Sequence, residues 1–177
     1  MIKLLLLAIA LAGLLVIVYL KSASSVPLKV GVPAPTFSLL DQSGQLRTFD
    51  EFKGRWLVLY FYPKDNTPGC TKEACHFRDD HSALQQYGAN VVGISVDSPA
   101  AHAQFANKYR LPFPLLADTS GLVAKSYGAL INLGWLKLAK RHTFLIDSDG
   151  KVAKVYVNVD PNSHSDTLLS DLKALQE

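Results

Sequence analysis

Hydrophobic and polar positions divide the chain into an apolar leader and a patterned body. Leu4 to Leu20 is an unbroken apolar run with one internal glycine, preceded by Lys3 and followed by Lys21 and the small polar stretch Ser22 to Ser25. Its length lies near the lower limit of about 17 residues for a membrane-spanning helix and beyond the roughly 7–15 of a signal-peptide core. An uncleaved anchor is therefore expected over residues 1–21, with a linker over 22–28 and one domain over 29–177. Cleavage after Ser24 is the alternative. Lys3 and the amino terminus favour a cytoplasmic N-terminus while Lys21 and Lys29 pull the other way, and the expectation is an extracytoplasmic (periplasmic-side) domain. A secreted or a cytoplasm-facing domain are the other readings.

In the body the period changes repeatedly. Phe37 to Leu40 and Gln45 to Phe49, around Asp41-Gln42-Ser43-Gly44, predict a β-hairpin. Trp56 to Tyr62 is a β-branched and aromatic run that reads as a buried strand, and Val91 to Val96 reads as a second one. Between them a helix is expected from about Thr71 to Tyr87, ending at Gly88, with Ala74, Phe77, Leu84 and Tyr87 on its apolar face. Ser98-Pro99 is an N-cap with a first-turn proline and predicts a helix to Tyr109 with Phe105 inward. Leu115 to Ala117 reads as a short strand, and Ser120 to Tyr127 as a helix. His142 to Asp147 and Lys151 to Val157 form a second hairpin pattern around Ser148-Asp149-Gly150. The last helix, Asp166 to Leu175, carries Leu168, Leu169, Leu172 and Leu175. A βαβ half followed by an antiparallel hairpin and a helix implies an α/β domain, a mixed central sheet flanked by helices.

Charge narrows the partners. Of 18 Lys and Arg against 15 Asp and Glu, Lys3 and Lys21 belong to the leader, which leaves 16 against 15 in the rest. So balanced a domain argues against nucleic-acid binding.

Both cysteines lie in the segment Tyr60-Phe61-Tyr62-Pro63-Lys64-Asp65-Asn66-Thr67-Pro68-Gly69-Cys70-Thr71-Lys72-Glu73-Ala74-Cys75. Pro and Gly end the strand, and Cys70 falls in the first turn of the following helix, where unpaired N–H groups and the helix dipole favour an anion. A thiol of ordinary pKa, about 8.5, is only roughly 3% ionised at neutral pH, and a helix N-terminus with a nearby cation lowers that pKa. Cys70 is thus a candidate nucleophile by position. Cys75 lies about 7.5 Å further along the helix and roughly 140° around it. A disulfide needs Cα atoms within about 7 Å, so the pair can close only if the first turns unwind. That spacing suggests a transient bond rather than a structural staple, which would close so short a loop to little effect.

Pro63, Thr67 and Cys70 together resemble the P-x-x-x-T-x-x-C signature of peroxiredoxins. Further stretches are similar to the same family: Gly93-Ile94-Ser95-Val96-Asp97, Phe113-Pro114-Leu115-Leu116-Ala117-Asp118, and Arg141-His142-Thr143-Phe144-Leu145-Ile146-Asp147. The resemblance runs from about Lys29 to the C-terminus, and Cys75 places it with the bacterioferritin-comigratory, or PrxQ, branch. It implies a thioredoxin-like fold, reduction of hydrogen peroxide and organic hydroperoxides, a thioredoxin-like reductant and a monomer, with no cofactor and no metal. It further implies Cys70 as peroxidatic cysteine, Cys75 as resolving thiol, Thr67 as a hydrogen-bonding partner of the peroxide, Arg141 as a fixed positive charge, and Pro63 as the residue that closes the pocket.

Other readings stay open. Individually, Pro63 could simply end a strand, Thr67 cap a turn, and Arg141 be a solvated charge. His76 and His81 beside two cysteines invite a metal, but C-x₄-C is not the usual close-paired zinc spacing, and a solvated helix face is expected of them, as of Arg78, Asp79 and Asp80. Glu73 is expected to orient polar neighbours. The stretch 128–140, with Leu130, Ile131, Leu133, Trp135, Leu136 and Leu138, is either core or an exposed patch that meets a membrane or partner, with Lys137 and Lys140 suited to anionic headgroups. Two different functions on the same fold compete with a peroxidase: a membrane-anchored copper-binding assembly protein, which would use C-x-x-x-C with a distant His, and a thiol-disulfide oxidoreductase, which normally has C-x-x-C.

Overall fold

The computed structural model describes residues 26–177. The expected anchor and most of the linker lie outside them. Among the described residues no helix is long and apolar enough to cross a membrane.

A short hairpin, β1 (Ser38–Leu40) and β2 (Leu46–Thr48), leads through a 3-10 turn at Phe49–Phe52 into β3 (Trp56–Phe61). Helices α1 (Pro68–Asp79) and α2 (His81–Gln86) carry the chain to β4 (Ala89–Ser95). Then come α3 (Pro99–Tyr109), β5 (Leu115–Ala117), α4 (Leu122–Ser126), a small hairpin of β6 (Leu130–Asn132) and β7 (Lys137–Ala139), the strands β8 (His142–Ile146) and β9 (Val152–Val157), and α5 (His164–Gln176). The central sheet has the order β5-β4-β3-β8-β9. β3 runs parallel to β4 and antiparallel to β8, and β9 is antiparallel to β8, so the sheet is mixed as expected.

β3 explains why its sequence shows no polar alternation. Leu57, Leu59 and Phe61 enter one core with Val92, Ile94, Phe144 and Ile146. Val58, Tyr60 and Tyr62 enter the other with Phe77, Leu115, Leu145, Leu168 and Leu172. A strand covered on both faces must be apolar at every position. Cys70 belongs to the second core, so the sheet face under α1 and α5 is also the floor of the site.

Two helices depart from expectation. The single helix predicted over 71–87 begins at Pro68 and is interrupted at Asp80, whose backbone (φ −93°, ψ 4°) leaves helical geometry. Thr67 and Pro68 are an N-cap and a first-turn proline, the same signal that set the start at Ser98-Pro99. The interruption keeps Ala74, Phe77 and Leu84 buried while Tyr87 is only half-buried. On α5, Leu168 and Leu172 are buried but Leu175 is 48% exposed in the terminal turn.

Candidate active site

Cys70 is the third residue of α1, after N-cap Thr67, and is buried to 1% exposure. Glu73 follows one helical turn later on the same face and is equally buried. Arg141, immediately before β8, faces both. Its Nη2 donates to Cys70 Sγ at 3.3 Å, and its Nη1 donates to Glu73 Oε2. The pairing of Phe61 with His142 sets this meeting: the antiparallel register of β3 and β8 carries Arg141 to the sheet edge from which the chain leaves toward α1. Asn158 N–H donates to the Arg141 carbonyl at 3.1 Å and holds its backbone.

Gly69 makes room for this arrangement. A Cβ there would lie 3.2 Å from Arg141 Nη2, tighter than side chains ordinarily pack, and in ordinary contact at 3.8 Å with Pro161 Cγ. The guanidinium therefore lies directly against the helix start.

Burial pushes the Glu73 carboxyl up to about 7, against the opposing pull of Arg141. Its other oxygen, Oε1, has no hydrogen-bond partner among the described residues. Beneath it, the buried Tyr60 ring stacks on Tyr62 (5.3 Å) and tilts against Phe77 (4.8 Å). His164 closes the floor: its Nε2 meets Thr143 Oγ1 at 2.8 Å, and burial together with the Arg141 charge lowers its pKa to about 4, so it is neutral.

Thr67 is half-buried, and its hydroxyl donates to the Lys64 carbonyl at 3.0 Å, leaving its oxygen lone pairs available as acceptors. Pro63, also half-buried, follows the last residue that extends β3, Tyr62, whose N–H donates to Ile94. Cys75 is half-buried on the intact α1, and both thiols are free. The structure thus brings Cys70, Arg141 and Glu73 into contact and leaves Cys75 further along the helix.

Several groups near the site were not singled out by sequence reasoning or were given a bland role. Arg78, expected on a solvated face, donates to the Tyr109 carbonyl (2.9 Å), pairs with Asp79 (2.8 Å), and lies near Cys75, one turn earlier on α1. His81 is half-buried beside Phe113, with burial lowering its pKa. Asp65 accepts from the Tyr62 hydroxyl (2.8 Å) and pairs with the buried His102 (2.8 Å), which fixes the loop between Pro63 and Thr67. The one sequence signal for this last cluster is a polar residue within a buried stretch. Among the described residues no three His, Cys, Asp or Glu side chains converge in a metal-binding group.

The profile of the AhpC/TSA family matches residues 30–155, most of the chain and all of this cluster up to β9. The chain belongs to the AhpC/TSA family of peroxiredoxins, in its bacterioferritin-comigratory, or PrxQ, branch. A putative peroxiredoxin bcp from Coxiella burnetii is 45% identical over 141 residues, covering 77% of this chain and 93% of that protein. The chloroplastic peroxiredoxin Q of Populus jackii is 44% identical over 146 residues, 82% of this chain and 68% of that one. Among solved structures, the peroxidoxin BcpB of Mycobacterium tuberculosis superposes with a TM-score of 0.80 at 39% identity, covering 85% of this chain and 99% of that chain. A cysteine variant of Xylella fastidiosa PrxQ gives 0.80 at 29% identity, with 86% and 99% coverage. The peroxiredoxin fold expected from the sequence, thioredoxin-like with a mixed sheet, is the fold observed.

Proposed function

We propose that this peroxiredoxin is a thiol-dependent peroxidase that reduces hydrogen peroxide and organic hydroperoxides through Cys70, in antioxidant defence. The observation that carries the reading is the Arg141 guanidinium, hydrogen-bonded at once to Cys70 Sγ and to Glu73 on one face of a helix N-terminus. A thiolate there is met by a fixed cation and by the dipole of α1.

The Cys70 thiolate attacks one peroxide oxygen. The S–O bond forms as the O–O bond breaks, the departing oxygen takes a proton and leaves as water or alcohol, and Cys70 becomes a sulfenic acid. Arg141 stabilises the negative charge that moves from sulfur onto the departing oxygen. Thr67 hydrogen-bonds the peroxide and aligns it with the sulfur, and Pro63 screens the sulfenic acid from water. The Cys75 thiolate then attacks the Cys70 sulfur, a disulfide forms, and the sulfenic oxygen leaves as water. Because Cys70 is buried within an intact helix, this second step requires the first turns of α1 to open. A thioredoxin-like dithiol returns two electrons and restores both thiols, and the enzyme works as a monomer without cofactor.

Dimedone labelling after one equivalent of peroxide tests the sequence of steps. Cys75→Ser is expected to label at Cys70, and the parent to yield a Cys70–Cys75 disulfide instead. Copper titration separates this reading from a copper-binding assembly protein, which would require tight binding by the two thiols.

Residues 1–21 serve in this reading as a membrane anchor with the domain outside the cytoplasm, supported by the uncharged run Leu4 to Leu20. Protease accessibility on intact cells tests the side.

A further inference from the structure

The apolar stretch 128–140 is split in two. At its base Leu130 and Ala139 are buried in the core, and Lys140 N–H donates to the Ala129 carbonyl at 2.7 Å. At its tip Trp135 is 89% and Leu133 45% exposed. The tip is a closed turn rather than a loose loop: Leu133 N–H donates to Leu136 O at 2.9 Å, and Gly134 N–H to Asn132 Oδ1 at 3.1 Å. Trp135 and Leu133 together present two large apolar side chains at the tip of a rooted hairpin, a surface suited to an interaction.

The described chain begins beside this hairpin. Gly128 lies so close beneath the lead-in that a Cβ would come within 1.9 Å of Val26 O and 2.7 Å of Pro27 Cα. Only Lys21 to Ser25 separate Val26 from the apolar run ending at Leu20, a reach of at most about 20 Å in extended chain. From Leu130 to the hairpin tip at Trp135 is at most about 17 Å. The apolar run therefore ends within about 20 Å of Val26, beside the foot of the hairpin. Leu122 is also 66% exposed, and the preceding Gly121 sits against Leu130 and Lys137 of the hairpin. No Asp or Glu occurs between Asp118 and Asp147, whereas Lys125, Lys137 and Lys140 do.

We propose that the β6–β7 hairpin docks on the surface of a phospholipid bilayer, with Trp135 and Leu133 at the level of the headgroups and glycerol backbone. The proposal rests on the anchoring of residues 1–21 proposed above. Indoles favour that layer, and a stretch of sequence that carries lysines and no Asp or Glu suits anionic headgroups. Docking would link the bilayer surface to the active site, because only Lys140 separates β7 from Arg141.

The test uses the full chain reconstituted in vesicles of phosphatidylcholine and phosphatidylglycerol. In a Trp56→Phe background Trp135 is the sole indole, and if that variant does not fold, the difference between parent and Trp135→Phe reads the same signal. Flotation first reports anchoring. The expected result is co-flotation, a blue-shifted Trp135 emission, and quenching by lipids brominated near the carbonyl end more than by lipids brominated at the chain end. Trp135→Ser should still float and turn over hydrogen peroxide at the parental rate. Failure to float overturns the anchor and the proposal with it. Flotation with an indole that stays red and is quenched by aqueous iodide as in detergent overturns the hairpin proposal alone. So does a blue shift without bromolipid quenching, which would indicate a second copy or the leader covering the tip.

Discussion

Arg141 Nη2 lies 3.3 Å from the Cys70 sulfur across 71 residues of sequence. The same guanidinium holds Glu73, so one cation spans one turn of α1. If that cation stabilises charge leaving the sulfur, Arg141→Ala should slow Cys70 oxidation by hydrogen peroxide roughly 10²–10³-fold, the usual effect of losing a preorganised donor. Arg141→Lys should recover part of the rate, since it restores charge without the planar fork. Stopped-flow rates for the three proteins check both.

Glu73 gives the fold a pH signature. Its carboxyl is raised by burial from 4.5 to about 7, so the native state holds a proton that the unfolded state has released across that window. Its contribution to stability is complete below pH 4.5 and is lost as pH rises through about 7. His164, held near 4 by burial and Arg141, works in the opposite sense, its neutral form favouring the native state above pH 6.5. Comparison with Glu73→Gln isolates the carboxyl. Relative to that variant, parent stability should fall with pH at a limiting slope of about 1.4 kcal/mol per unit and level off above 7. Urea unfolding across this range measures it.

Arg78 approaches Cys75 and is fixed by Tyr109 and Asp79. Arg78→Met should leave the first oxidation of Cys70 unchanged while slowing disulfide formation about tenfold, the effect expected for one charge-assisted hydrogen bond. Two-phase stopped-flow traces read the steps separately. Equal slowing of both phases would contradict a role confined to Cys75.

Gly128 has φ +69° and lies against the Val26–Pro27 backbone. Gly128→Ala should displace that lead-in and cost roughly 1–2 kcal/mol from backbone strain alone. A lower denaturation midpoint and faster proteolysis near residue 27 are the expected readouts.

Much of this was legible in the sequence where a single local cause dominates. β3 is apolar at every position, β4 and β8 each carry an apolar stretch, and Ser98-Pro99 marks a helix start unambiguously. The break at Asp80 was not, because Ala74, Phe77 and Leu84 keep a plausible helical spacing across it. Leu175 continues the pattern of Leu168 and Leu172, yet burial also depends on whether another element reaches the last turn. At the candidate site, motif positions named Cys70, Thr67 and Arg141, whereas the burial of Glu73 and the clearance at Gly69 depend on where Arg141 arrives in space. The 128–140 stretch, apolar throughout in sequence, was divided between core and surface only by its fold into a hairpin.

The central claim is that Cys70 is the atom that meets the peroxide. Stopped-flow mixing of reduced parent, Cys70→Ser and Cys75→Ser with hydrogen peroxide tests it most directly. The account predicts fast oxidation of the parent, an equally fast first step and one-equivalent stoichiometry in Cys75→Ser, and no fast step in Cys70→Ser. A Cys70→Ser protein that consumes peroxide as fast as the parent would contradict it.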